Sequence, residues 1–255
     1  MKIIGIIPAR MESSRFPGKP LADILGIPMI GHVYHRCKMS NILDEVYVAT
    51  CNKEIFDYIE SLGGKAIMTS NKHERASDRA AEALNIIENR INQKLDIIVM
   101  LQGDEPMVKP DMIEYAVRPL IEDSTLAVSN LMSEIKTEKE WMDPNEVKVV
   151  SDSNNNALYF SREPIPSKKK YDKYFPVYRQ VCVIPFRRDW LMKYTKLPPT
   201  PLEIIESVDM NRFLENGLKV KLVEIFHETV AVDTPDDLKN VELKMKDDLL
   251  LKKYL

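Results

Sequence analysis

The chain has 255 residues, with 36 Lys and Arg against 39 Asp and Glu and a formal charge of −3. That length suffices for one α/β domain that buries most of what its unfolded chain exposes. The near balance of charge carries no nucleic-acid-binding or membrane-surface signal and argues for a solvated mixed-charge surface. The three cysteines, Cys37, Cys51 and Cys182, have neither zinc nor disulfide-framework spacing and read as reduced thiols in a cytoplasmic protein.

The apolar start, Met1-Lys2-Ile3-Ile4-Gly5-Ile6-Ile7-Pro8, is too short to span a membrane, and Arg10 and Glu12 interrupt it before a signal peptide could form. It predicts a first buried strand over residues 2–8. Further short apolar runs predict strands over 45–50, 65–69, 96–101 and 125–130. Helical periodicities separate them: Ile30, Val33, Tyr34 and Cys37; then Ala80, Leu84, Ile87 and Ile91; then Ile113, Val117 and Leu120. Strands alternating with helices argue for a mostly parallel sheet flanked by helices.

The second half is less regular. Strands are expected over 146–150, 156–161, 180–186 and 219–224. Residues 168–178 are basic and tyrosine-rich; one such run in an acidic chain reads as a loop or inserted arm rather than a nucleic-acid site. A helix is expected over 202–215, stopped by Asn216-Gly217. Thr234-Pro235-Asp236-Asp237 opens a last helix, with Thr234 as cap and two acids at the positive dipole end; Leu238, Val241, Met245 and Leu249 form its apolar stripe. With no repeat or linker, the chain is expected to be one domain over 1–255, with residues of roughly 155–190 projecting as an arm or dimer contact.

Three segments carry candidate chemistry. After the first strand, Pro8-Ala9-Arg10-Met11-Glu12-Ser13-Ser14-Arg15-Phe16-Pro17-Gly18-Lys19-Pro20 gathers three cations and two serines where open α/β sheets bind ligands. It is neither a Walker loop nor GxGxxG. A solvated basic loop and a phosphate cradle are both compatible with the charges; the position beyond a strand end favours phosphate. After the apolar run 97–101, typical of a strand buried on both faces, comes Gln102-Gly103-Asp104-Glu105-Pro106. Alone it is a polar turn; beside a phosphate cradle, Asp104 is a Mg²⁺ ligand candidate. Val232-Asp233-Thr234 places Asp233 before the last helix, either as a turn cap or as a second metal carboxylate. His32, His35, His73 and His227 lie in no motif and read as core or surface side chains, so no general base stands out.

PAR-x₃-SR-x-PGKPL, QGDEP and VDTPDDL, in this order, resemble the 3-deoxy-manno-octulosonate (Kdo) cytidylyltransferases. Asp143-Pro144-Asn145-Glu146-Val147-Lys148-Val149-Val150, Ala157-Leu158-Tyr159-Phe160-Ser161-Arg162 with Ile165-Pro166, and Pro201-Leu202-Glu203 extend the resemblance to essentially the whole chain. It implies a nucleotide-diphospho-sugar transferase fold, a Rossmann-like mixed sheet, mostly parallel and flanked by helices, and a homodimer built through a piece of the second half. The implied reaction transfers CMP from CTP to a sugar acid and releases pyrophosphate, with Mg²⁺ as cofactor. It further implies that Ala9, Arg10, Ser14, Arg15 and Lys19 hold the nucleotide, that Gln102 lies between base and acceptor, and that Asp104 and Asp233 hold the metal. Ser77 and Arg79 fall at a nucleotide-proximal SGTDR-like segment, here Ala76-Ser77-Asp78-Arg79, where Ser77 is equally a helix cap. Arg10, Lys19, Asp104 and Asp233 are the expected catalytic set.

The acceptor side departs from the family pattern. Where the family has His-Leu-Gly-x-Tyr-x-Tyr, this chain has Gln180-Val181-Cys182-Val183-Ile184-Pro185-Phe186. Where the family has Glu-x-Leu-Glu-Gln-Leu-Arg, it has Glu206-Ser207-Val208-Asp209-Met210-Asn211-Arg212. Arg162, Gln180, Glu206 and Asp209, with Gln102, are therefore the acceptor-binding candidates. Replacing pocket donors by apolar groups shifts acceptor preference. Kdo is the leading acceptor; 8-amino-Kdo, a sialic-acid-like sugar or a phosphonate are alternatives, and a silent nucleotide-binding homologue is a third reading.

Overall fold

The computed structural model describes residues 1–12, 15–170, 173–227 and 229–255. In chain order its elements are β1 (Ile3–Ala9), a 3-10 turn (Lys19–Leu21), β2 (Asp23–Ile24), β3 (Ile27–Pro28), α1 (Met29–Lys38), β4 (Glu45–Thr50), α2 (Lys53–Ser61), β5 (Lys65–Met68), α3 (Ala76–Ile91), β6 (Ile97–Leu101) and α4 (Pro110–Glu122). There follow β7 (Val128–Glu134), α5 (Glu138–Met142), β8 (Lys148–Ser151), β9 (Ala157–Ser161), β10 (Tyr178–Val181), β11 (Val183–Arg187) and α6 (Arg188–Tyr194). The chain closes with α7 (Pro201–Glu206), α8 (Met210–Glu215), β12 (Val220–Ile225), α9 (Pro235–Met245) and a 3-10 turn (Leu251–Lys253). They form two compact units: residues 1–114 with 229–255, and residues 115–228.

In the first unit the strands lie in the order β5-β4-β1-β6, all parallel. Ile97, Ile98, Val99, Met100 and Leu101 of β6 are all buried, as a strand covered on both faces requires. From β1 the chain moves outward to β4 and β5, then returns to place β6 on β1's other side. The order therefore reverses between β1 and β6, and a crevice opens beyond the carboxyl ends of two strands at such a point. The segments carrying Arg10 to Lys19 and Gln102 to Asp104 follow these two strands.

The last helix begins as its residues predict. Thr234 Oγ1 accepts from Asp237 N–H and the Asp237 carboxylate accepts from Thr234 N–H, a reciprocal capping box. Val241 and Met245 pack with Ile24, Met29, Val232 and Leu251. Leu249, expected on the same stripe, is exposed because the helix stops at Met245. Ile91, expected on the α3 stripe, is likewise exposed at the helix end, where Asn92 turns left-handed at φ 49°. The α2 helix, which no apolar stripe had marked, buries only Ile55 and Ile59.

Beyond α9, the C-terminal residues clasp α1. Arg36, wholly buried, donates to Asp248 at 2.6 Å and to the Tyr254 hydroxyl at 3.0 Å. His32 faces the Ile24 carbonyl through Nε2 (2.8 Å) and the Tyr254 hydroxyl through Nδ1 (2.9 Å). A carbonyl only accepts, so Nε2 carries a proton; the Tyr254 hydroxyl, which accepts from Arg36 Nε, has its own O–H to donate to Nδ1, the arrangement of a neutral ring. Burial, with Arg36 and His35 adding repulsion, lowers the His32 pKa below its ordinary 6.5, and burial lowers that of His35, which stacks on Tyr254. The sign follows: the unfolded chain takes up protons before the folded one, so this stability is full above pH 6.5 and is lost as pH falls through the folded values. The melting temperature is expected to drop between pH 7.5 and 5.5, with a smaller drop in His32→Gln; equal slopes in the two proteins would contradict this assignment.

In the second unit β7 is the hub. It pairs in parallel with β12, from Val220↔Val128 to Ile225↔Ser133, and antiparallel with β10 and β11; β10, β8 and β9 continue outward. Three expectations are corrected here. The strand expected over 125–130 lies at Val128–Glu134, because Thr125 closes a turn on the Asp123 carboxylate instead. The strand over 180–186 is two strands parted at Cys182. The helix over 202–215 is also two: Ser207 adopts φ 54° and ends α7, and α8 starts anew at Met210. The helices α5 and α6 went unpredicted. The 168–178 stretch forms no regular element up to Tyr178, apart from 171 and 172, which lie outside the described residues.

Candidate active site

A cleft of about 350 Å³ opens in the first unit, within the range of small-molecule sites. Ala9, Arg10, Arg15 and Lys19 line it from the segment after β1, Gln102 and Asp104 from that after β6, and Arg79 from α3. The two motifs thus meet at the strand-order reversal. Ser14 lies outside the described residues.

Lys19 is the centre of the polar network. Gly18, at φ 75°, caps the 3-10 turn that begins at Lys19; a side chain there would be strained, so glycine is required by conformation and not by close packing. The Lys19 ammonium donates to Asp104 Oδ2 at 2.8 Å and to the Val232 carbonyl at 2.8 Å, and lies 3.5 Å from Asp233 Oδ1. Arg15 donates to the same Asp233 oxygen at 2.9 Å. Asp104 and Asp233, from distant parts of the chain, thereby converge on one cation.

The backbone explains how. Val232 N–H donates to the Asp104 carbonyl at 2.9 Å, clipping the two segments together. Asp237 accepts from both Asp233 N–H (3.1 Å) and Thr234 N–H (2.8 Å). Asp237 therefore does the capping, and the Asp233 carboxylate is left to face Lys19 and Arg15. The alternative of Asp233 as a turn cap does not hold.

A loop after β5 completes the cleft, leading into the SGTDR-like segment that the resemblance had marked. His73, Glu74 and Arg75 line the cleft. His73 Nε2 pairs with Glu82 at 2.5 Å, and its carbonyl accepts from Arg10 (3.4 Å) and Arg79 (3.5 Å). Arg79, almost wholly buried, also donates to Thr69 Oγ1 and the Ser70 carbonyl, so it braces this loop. His73, expected in core or surface, is a cleft residue; the rule that located the other two segments, position beyond a parallel strand, would have located this one. Ser77 is not the helix cap, a position held by Arg75, and its side chain is fully buried in the first turn of α3.

Of the acceptor candidates, Gln102 lines the cleft of the first unit, whereas Arg162, Gln180, Glu206 and Asp209 belong to the second unit. The Glu206 carboxylate accepts from Tyr159 (2.7 Å), Ser161 (2.8 Å) and Arg162 N–H (2.7 Å). Burial pushes its pKa up, but these bonds outweigh burial and hold it below the usual carboxylate value; burial and the same contact raise Tyr159 to about 12. The Arg162 guanidinium donates to the carbonyls of Glu206, Pro144 and Ser207. Gln180 donates to Asn130 Oδ1 at 2.7 Å, and the Asp209 carbonyl accepts from the Tyr194 hydroxyl. Ile184 and Met210, at positions where the family pattern has polar groups, are buried core residues.

Parallel strands, a reversal crevice, cations and paired carboxylates define the class: an α/β protein with a cation-lined cleft at the strand-order reversal. The cytidylyltransferase family model matches residues 4–225. A 3-deoxy-manno-octulosonate cytidylyltransferase from Geobacter sulfurreducens is 44% identical, over 96% of this chain and 100% of its own. The solved CMP:2-keto-3-deoxy-manno-octonic acid synthetase complexed with CTP superposes with a TM-score of 0.87 at 38% identity, covering 98% of this chain and 100% of that one. A putative glucose-1-phosphate thymidylyltransferase from Bacillus anthracis, 19% identical with a TM-score of 0.65 over 96% of each chain, shares the fold alone. The chain belongs to the cytidylyltransferase family, and within it to the 3-deoxy-manno-octulosonate cytidylyltransferases.

Proposed function

We propose that this protein transfers CMP from CTP to Kdo, releasing pyrophosphate, with Mg²⁺ held by Asp104 and Asp233. The observation that carries the reading is the convergence of these two carboxylates on one ammonium beside a cationic cleft. The donor set fits the ion: Mg²⁺ takes hard oxygen ligands, usually one or two carboxylates completed by substrate phosphates. Bound there, Mg²⁺ would neutralise phosphate charge and acidify a coordinated hydroxyl.

The protein's own contribution is position and charge. An acceptor oxygen attacks the α-phosphorus in line with departing pyrophosphate. Arg10, Arg15 and Lys19 face the triphosphate and stabilise the charge that grows on the leaving group. The loop of His73 steers Arg10 through its carbonyl, and Gln102 lies at the cleft wall for base or acceptor. Arg162, Gln180, Glu206 and Asp209 are offered as the acceptor side; Arg162 keeps two further N–H donors for a carboxylate.

The test is pyrophosphate release from CTP and Mg²⁺ with a panel of acids. Release with Kdo supports the reading; release only with 8-amino-Kdo, a sialic acid or a phosphonate moves the acceptor, a second reading that the buried Ile184 and Met210 favour. No release with any acid, despite CTP binding, leaves a silent homologue.

The working form is proposed to be a cytoplasmic homodimer. The three cysteines are free thiols, and among the described residues no helix is long and apolar enough to cross a membrane. Leu158 on β9, within the expected arm, is 61% exposed. Leu158→Glu is expected to convert the dimer to monomer in sedimentation velocity without lowering the melting temperature. A wild-type sedimentation coefficient would remove β9 from the contact.

A further inference from the structure

We propose that Lys19 is the resident counter-ion of the metal carboxylates and exchanges with the divalent cation, so that metal and triphosphate enter as one coupled event. The inference rests on the reading of Asp104 and Asp233 as the metal carboxylates.

The geometry sets the ammonium and the metal in competition. The ammonium sits within hydrogen-bond distance of Asp104 Oδ2 and the Val232 carbonyl and 3.5 Å from Asp233 Oδ1. A cation bridging both carboxylates needs the same ground. Charge points the same way. Lys19 and Arg15 against Asp104 and Asp233 form a neutral quartet. A divalent ion added to it faces two resident positive charges in a setting where the Lys19 side chain is 13% exposed, and repulsion there is screened less than in water.

A triphosphate reverses this balance. It offers the ammonium and the guanidinium stronger anionic partners, and the flexible four-carbon stem of lysine lets the charge swing without moving the backbone. Each proton donor that turns to phosphate releases a carboxylate oxygen to the metal. Coupling of this kind is reciprocal: nucleotide tightens metal, and metal tightens nucleotide, by one factor.

Mn²⁺ binding to the full chain, read by electron paramagnetic resonance of the free ion, tests this without turnover. In wild type, CTP is expected to tighten Mn²⁺ on the order of 10–100-fold. Lys19→Met, and Lys19→Gln as a second variant, should bind Mn²⁺ roughly tenfold tighter than wild type in the absence of nucleotide, with the CTP effect reduced. Lys19→Arg, which keeps the charge, should resemble wild type. Nucleotide-free affinity unchanged or weakened in both Lys19→Met and Lys19→Gln overturns the exchange while Asp104→Asn and Asp233→Asn still abolish CTP-dependent binding. If those two Asn variants bind Mn²⁺ with CTP as wild type does, the metal reading itself fails and takes the inference with it.

Discussion

Asp104→Ala is expected to lower kcat for pyrophosphate release by at least on the order of 10²–10³-fold, and Asp233→Ala by a similar factor. Each side chain contributes to the charge balance around the phosphates, and neither holds the local fold. The clip between the two segments uses the Asp104 carbonyl and the Val232 N–H, which alanine retains. The α9 cap is made by Thr234 and Asp237, which Asp233→Ala leaves intact. The melting temperature should therefore stay close to wild type while turnover collapses. Near-normal kcat in either variant would take that residue out of the chemistry.

The second large effect falls on stability. Glu203 and Arg212 pair through two bonds of 2.5 Å, with side-chain exposures of 0% and 4%. Burial opposes the guanidinium charge, but the Glu203 hydrogen bonds prevail and the pKa of Arg212 is raised. Its Cζ also lies 4.4 Å from the Tyr194 ring centroid, which stacks on Phe213. Glu203→Gln removes the countercharge and leaves a buried cation, which costs about 3–5 kcal/mol. Denaturant unfolding should show the midpoint falling accordingly. The double variant Glu203→Leu, Arg212→Met should recover part of the loss, because both charges then leave the interior. A loss below about 1 kcal/mol in the single variant, the size of an exposed pair, would show the site to be solvated.

Much of this was legible from residues alone. The strand 45–50 and the start of α9 followed from local chemistry: an apolar run for the one, a threonine cap with acids behind it for the other. The cleft segments were legible because cations and carboxylates gathered beyond the carboxyl ends of parallel strands lie where open α/β sheets bind ligands. The breaks at Cys182 and Ser207 were not. Neither position carries Gly or Pro, and the left-handed turn at Ser207 is paid for by tertiary contacts such as the Arg162 bonds to the carbonyls of Glu206 and Ser207.

Local composition thus settled which segments become strands and caps, and which of them bear charge at their ends. Three-dimensional folding alone decided that Asp104 and Asp233 share one lysine, that His73 turns into the cleft, and that Glu206 binds a tyrosine, a serine and a main-chain amide. The reason is that buried parallel strands look alike as apolar runs. Which strand lies beside which, and in what register, depends on packing across the whole chain, and it is that order which brings remote side chains to one point.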